Sequence, residues 1–327
     1  MQAEVCSNNG SKLGRCSSPI TGMHYKRLVL SRNKQISYSE YGTPQGHPLI
    51  YFHDVASSRL EARLIAKAAG EAGLRVIAVD RPGVGGTIGF EQGLQDYFSG
   101  LDELIAYLQL EKFSLITSGA AYTLGVSFAR DRAQRVHSFT ALSPRQASLL
   151  ASFNGVPRFF KSLIKCLLRG FIHIRYHQFA AHPEQYFERY CESLCPLDRR
   201  SVSRVWVREA ILDNVRESLV KGLSGLEWDI EHACMLASGE PREFSRFYAW
   251  SGGQDGAGLI VMQNQPLKGR RFAGSGRYFY LRHIGEILHA VKQGLADGES
   301  HHAIAPRKPK ANAMYGQAKE RARKRSA

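Results

Sequence analysis

The sequence predicts a doubly wound α/β domain, with a mostly parallel sheet interrupted by a helical insertion. Three observations predict it. Short apolar runs alternate with helical stripes from residue 49 to residue 142. That alternation stops over 147–238, where only helical spacing is found. A strand-like run then resumes at Phe247-Tyr248-Ala249-Trp250. Strand-helix alternation of this kind places helices on both faces of a parallel sheet.

The elements follow in order. Residues 1–24 are rich in Ser, Asn and Gly and read as a flexible leader. Residues 25–31 and 35–40 alternate as strands do, around the turn Arg32-Asn33-Lys34. Gly42, Pro44 and Gly46 mark a second turn. Leu49-Ile50-Tyr51-Phe52 fits a strand buried on both faces. Ser57 or Ser58 can cap a helix reaching Glu71, with Leu60, Leu64, Ala68 and Ala72 on one stripe. Gly73 supplies the left-handed residue that ends it. Residues 75–79 read as a strand, 94–109 as a helix, 113–116 as a strand, 120–130 as a helix and 136–142 as a strand. In the insertion, Phe159, Phe160, Leu163, Ile164, Leu167 and Leu168 recur at helical spacing, with Lys161, Lys165 and Arg169 between them. Residues 278–281 are expected as the last strand and 283–295 as the last helix.

Composition narrows the function classes. A chain of 327 residues can bury a full core, and 43% of them are hydrophobic. No run approaches the ~18 unbroken apolar residues that a membrane helix needs, so no transmembrane segment is expected. Residues 1–22 lack the apolar core of a signal peptide, which implies a cytoplasmic protein. The cysteines at 6, 16, 166, 191, 195 and 234 are scattered, and no zinc-ligand spacing is completed. Reduced thiols, no metal and no cofactor are expected. In the tail, Arg307, Lys308, Lys310, Lys319, Arg321, Arg323, Lys324 and Arg325 stand against Glu320, giving +7 of the net +15. Such a tail attracts polyanions weakly and without reading sequence.

Two segments carry a resemblance. Residues 53–62 read His53-Asp54-Val55-Ala56-Ser57-Ser58-Arg59-Leu60-Glu61-Ala62, and 80–87 read Asp80-Arg81-Pro82-Gly83-Val84-Gly85-Gly86-Thr87. They resemble the H-G-x-x-G-S-R-L-E-A and D-R-P-G-x-G-x-S segments of esterase-like α/β-hydrolases. The likeness extends over 36–145 and 246–292. It implies the α/β-hydrolase fold, a helical lid over the site, and a Ser-His-Asp constellation with an oxyanion loop. Fold alone does not carry activity.

The residues at the implied catalytic places depart from that pattern. The family's G-x-S-x-G elbow falls on Thr117-Ser118-Gly119-Ala120-Ala121. Counted without gaps, the nucleophile position is Gly119, which has no nucleophile; this is the preferred register. Shifted by one, the nucleophile is Ser118. Both registers lack the first glycine. The acid position is Asp255, in Gly252-Gly253-Gln254-Asp255. The histidine position is Arg277, in Gly274-Ser275-Gly276-Arg277, and a guanidinium cannot act as a base at neutral pH. Facing Asp255, Arg277 is expected to form an ion pair with it. His283 is read as an ordinary histidine of the last helix. The oxyanion loop, with His53, Asp54, Val55 and the elbow's Ala120, carries a carboxylate where the family has glycine.

The sequence therefore implies a pseudo-hydrolase that binds a small apolar ligand or a protein partner. Two alternatives stand beside it: an active esterase using Ser118 and Asp255, and an adaptor that binds polyanions or membrane surfaces through the basic tail. The expected organisation is a leader over 1–24, a core over 25–146, a lid over 147–240, the rest of the core over 241–298 and a disordered basic tail over 299–327. Truncation after Gly298 should leave the fold intact and sharply lower affinity for RNA or DNA. Equal salt-sensitive binding by the full and shortened chains would place the binding surface on the body.

Overall fold

The computed structural model describes residues 3–5, 25–90, 92–145, 158–233, 246–255 and 268–300. The basic tail, most of the leader, Cys6, Cys16 and Cys234, and the expected boundaries at 146/147 and 240/241 lie outside the described residues. Chain contacts divide the protein into Met1–Leu295 and Ala296–Ala327. Of the second unit, only 296–300, the end of the last helix, are described.

Among the described residues, nine strands form one sheet: β1 (Ala3–Val5), β2 (Lys26–Val29), β3 (Gln35–Gly42), β4 (His47–Phe52), β5 (Leu74–Val79), β6 (Phe113–Ser118), β7 (Val136–Leu142), β8 (Phe247–Gly252) and β9 (Lys268–Phe272). Their order is β1-β2-β3-β5-β4-β6-β7-β8-β9. The pairs from β1 to β5 through β3 are antiparallel, and all later pairs are parallel. The helices are α1 (Arg63–Glu71), α2 (Leu94–Tyr107), α3 (Ala121–Arg130), α4 (Arg158–Ala181), α5 (Pro183–Glu192), α6 (Pro196–Val202), α7 (Val205–Ser218), α8 (Ser224–Trp228) and α9 (Tyr280–Ser300). A single π-helical turn, Asp229–Ala233, follows α8. The five helices α4–α8 are inserted between β7 and β8, which pair directly in the sheet.

Side chains alternate between the two covered faces of the central strands, as the period of two requires. Ile50, Phe52, Ile77 and Val79 face a core shared with Phe98 and Leu101 of α2 and Phe128 of α3. Leu49, Tyr51, Val76 and Ala78 face a second core with Ile65 of α1 and Ile287 and Leu288 of α9. The mostly parallel, doubly wound sheet predicted from the sequence is therefore present, with β8 inside it.

Two local expectations are corrected. The last strand is β9, over 268–272, and not 278–281. Lys-Gly-Arg-Arg-Phe is a cationic edge strand without apolar alternation, so periodicity cannot reveal it. Tyr278 and Phe279, in the turn before α9, and Tyr280, its first residue, are buried against the second core; three apolar residues cannot distinguish a strand from a buried helix start. Within the expected leader, Ala3–Val5 pair with β2.

Phe128 has no exposed surface, and its ring meets Phe52 at 5.6 Å and Phe98 at 5.2 Å. Phe128→Ala is expected to cost about 3–5 kcal/mol of stability, measured as a shift in denaturant unfolding. A change below ~1 kcal/mol would contradict this packing.

Candidate active site

The C-terminal ends of β4, β6 and β8 converge, and parallel sheets of this kind place ligand sites there. β4 ends at Phe52 and delivers His53 and Asp54 into a loop. Both residues are buried. His53 Nδ1 donates to the Asp54 carbonyl at 2.9 Å, and Nε2 accepts the Arg81 backbone N–H at 3.4 Å. Burial, helped by the nearby Arg81 charge, holds His53 well below its ordinary pKa. A neutral imidazole with both nitrogens engaged is a structural strut.

Arg81, from the Asp80-Arg81-Pro82-Gly83 segment, fixes this loop from below. Its guanidinium donates to the carbonyl oxygens of His53 and Asp54, the latter at 2.8 Å. The same side chain pairs with Asp229, on the π-helical turn, at 2.6 and 2.8 Å. Neighbouring Asp80 accepts the Arg59 N–H at 2.7 Å and its guanidinium at 2.5 Å, and Arg59 reaches on to Glu217 of α7 at 2.8 Å. Asn214 of α7 accepts from Ser58 N at 2.9 Å and donates to Ser57 Oγ at 2.8 Å. The two segments singled out in the sequence are thus joined to each other and to the inserted helices.

Glu61, fully internal, organises the floor. Its Oε2 accepts from Asp54 N and Ser57 Oγ, each at 2.8 Å, and its Oε1 accepts from Ser118 Oγ at 2.8 Å. Burial, and then the charge of Asp54, raise its pKa.

The elbow lies between β6 and α3. Strand β6 extends through Ser118, two residues beyond the expected run, so Gly119 makes the turn, with φ +54°. Its N–H donates to Leu142 O at 2.9 Å, and its carbonyl accepts from Arg145 N at 3.0 Å. Above it sits the Asp54 carboxylate. Asp54 Oδ1 accepts from Val55 N at 2.8 Å and from Ala120 N at 2.8 Å. Asp54 Oδ2 accepts from Arg277 Nη2 at 2.5 Å. A Cβ on Gly119 would run into that carboxylate.

Thus Gly119, Ala120, Val55, Asp54 and Arg277 meet at one point, with Ser118 tied to Glu61 beneath it. Asp255 is not part of this cluster. Its Oδ1 faces Arg145 Nη2 at 3.7 Å, and its Oδ2 has no hydrogen-bond partner among the described residues. The expected Arg277–Asp255 pair is replaced by Arg277–Asp54, because Asp54 presents its carboxylate at the elbow itself. His283 stacks on Phe272 at 3.9 Å between ring centres and approaches Glu286. Sequence reasoning missed Glu61, although it lies inside the quoted 53–62 segment; an acid between Leu60 and Ala62 on a buried stripe was the available signal. Arg145 and Asp229 carried none. Among the described residues, no group of three or more His, Cys, Asp or Glu could hold a metal ion.

No family model matches the sequence, and no curated protein sequence matches it either. Solved structures do. An α/β-hydrolase fold protein from Nakamurella multipartita is 16% identical, with a TM-score of 0.58 over 82% of this chain and 99% of that one. An esterase from Thermogutta terrifontis is 14% identical, with a TM-score of 0.59 over 84% and 98%. A bromoperoxidase from Bacillus anthracis is 16% identical, with a TM-score of 0.59 over 84% and 100%. This likeness is one of fold: the chain has the α/β-hydrolase fold.

Gly119 and Asp54 should be energetically coupled. Gly119→Ala alone is expected to be strongly destabilising, through the positive φ and the carboxylate it meets. In an Asp54→Gly background the same change should cost ~1–3 kcal/mol less. Additive costs in a double-mutant unfolding cycle would mean that Asp54 does not occupy the elbow.

Proposed function

We propose that this α/β-hydrolase-fold chain is a pseudo-hydrolase: a scaffold that binds a small apolar ligand or a protein partner without turning over an ester. One observation carries the reading. The Val55 and Ala120 N–H groups, which in this fold are the donors for a developing oxyanion, are both taken by the chain's own Asp54 carboxylate.

The chemistry is opposed four times at that point. An ester oxygen entering the hole must displace a carboxylate that holds two backbone donors and a guanidinium, and charge-assisted bonds are worth ~1.5–3 kcal/mol each. Negative charge developing there would then face the displaced carboxylate. Arg277 cannot take a proton from a nucleophile. Gly119 offers no nucleophile at the turn, and the carboxylate above it leaves no room for one. In this reading the helices over 147–240 form the lid, and Arg81–Asp229 and Arg59–Glu217 fasten it to the core.

The alternative, a serine esterase built on Ser118 and Asp255, is supported less well. Ser118 ends a strand, and its hydroxyl donates to Glu61 and not to a histidine. Asp255 faces Arg145, so it orients no base among the described residues.

Wild-type protein is expected to hydrolyse short-chain aryl esters no faster than buffer. Asp54→Gly, Gly119→Ser and Arg277→His together should restore measurable turnover, because a missing triad member alone costs several orders of magnitude. Turnover by wild type that Ser118→Ala abolishes would overturn the pseudo-hydrolase reading in favour of the serine esterase.

A further inference from the structure

The longest inserted helix has an apolar face turned away from the protein. On α4, Leu163 is 46% exposed, Leu167 65%, Phe171 59% and Ile174 59%. Their spacing of four, four and three residues keeps them within an arc of about 80° at 100° per residue, along about 16 Å of helix. They do not belong to the face that packs inward. Phe179 is buried against Tyr186 of α5, Arg169 pairs with Glu231, and His173 approaches Glu227; these positions lie on the other side of the helix. Isolated exposed apolar residues are ordinary, but a row of four large ones on one helix marks a contact surface.

Charge decides what can cover it. The sequence of α4 contains no Asp or Glu; at 100° per residue Arg158, Lys161, Lys165 and Arg169 fall on its polar side, Arg169 paired with Glu231, and Arg175 falls next to the row. Arg175 is exposed beside the apolar row, its guanidinium 6.0 Å from the Phe171 ring. The whole chain carries +15. A second copy laid against this face would bring cations to cations. An anionic bilayer offers both what the row lacks and what the charges require: hydrocarbon just beneath a negatively charged surface. Among the described residues no helix is long and apolar enough to cross a membrane, so α4 would lie on the surface and not span it.

We propose that the exposed face of α4 is a docking surface for anionic lipid membranes, with Leu163, Leu167, Phe171 and Ile174 entering the interface and Arg175 at its edge. None of these side chains belongs to the Asp54 cluster, so the docking surface stands whether or not that cluster is catalytic.

The test is cosedimentation of the full chain with vesicles of equal parts phosphatidylcholine and phosphatidylserine, and with vesicles of phosphatidylcholine alone. Binding to the mixed vesicles is expected, with much weaker binding to the neutral ones. A variant carrying Leu163→Ser, Leu167→Ser and Phe171→Ser should lose at least about tenfold in affinity for the mixed vesicles. These side chains are exposed, so the variant should unfold at the wild-type denaturant midpoint. Undiminished binding by the variant would assign any vesicle affinity to the basic tail and overturn the proposal. So would absence of wild-type binding, or a wild-type dimer that the three substitutions convert to monomer.

Discussion

A carboxylate that accepts two backbone N–H groups and faces a guanidinium is satisfied without water, and Asp54 is held in that condition from every side. Its own N–H is fixed by Glu61 and its carbonyl by Arg81, so the loop cannot turn the side chain elsewhere without breaking buried bonds. The donors it occupies, Val55 N and Ala120 N, come from β4's loop and from the start of α3. The guanidinium comes from the turn before α9. One side chain therefore joins three segments that the sheet brings together, and the absence of a side chain at position 119 is what leaves room for it.

Beneath that carboxylate, buried charges are paired in a chain that reaches into the inserted helices. Arg59 sits between Asp80 and Glu217, and Arg81 between Asp229 and two loop carbonyls. Removing one member of such a pair leaves the other uncompensated, which is far more costly than the pair's own net worth. Both anchors are internal, so α7 and the π-helical turn after α8 are tied to the core by buried charge. The outer face of α4 belongs to the same insertion but carries no such constraint, and its apolar row is free to serve another contact.

The fold was legible because its core strands follow simple rules. Leu49 to Phe52 and Val76 to Val79 are apolar throughout, as strands covered on both faces must be. The edge was not: β9 is cationic, and an edge strand with one open side has no apolar pattern to display. Gly119, Arg277, Asp54 and Asp255 could be picked out by position, since all four fall in loops next to strand ends. Their partners could not. Asp54 and Arg277 lie 223 residues apart, and nothing in either segment distinguishes Asp54 from Asp255 as the mate of Arg277. Only the direction in which each loop leaves its strand decides it. Glu61 was hidden for a related reason: a buried acid on an apolar stripe is meaningful only when its donors are known, and Ser118 lies 57 residues away.

On the pseudo-hydrolase reading, no serine in this site is an activated nucleophile. Covalent labelling of the full-length wild-type protein with a fluorophosphonate, followed by mass spectrometry of the intact chain and its peptides, tests it most directly. A hydroxyl held by a buried carboxylate, beside an oxyanion site already filled, should give no adduct. A single adduct on Ser118 that disappears in Ser118→Ala would contradict the pseudo-hydrolase reading.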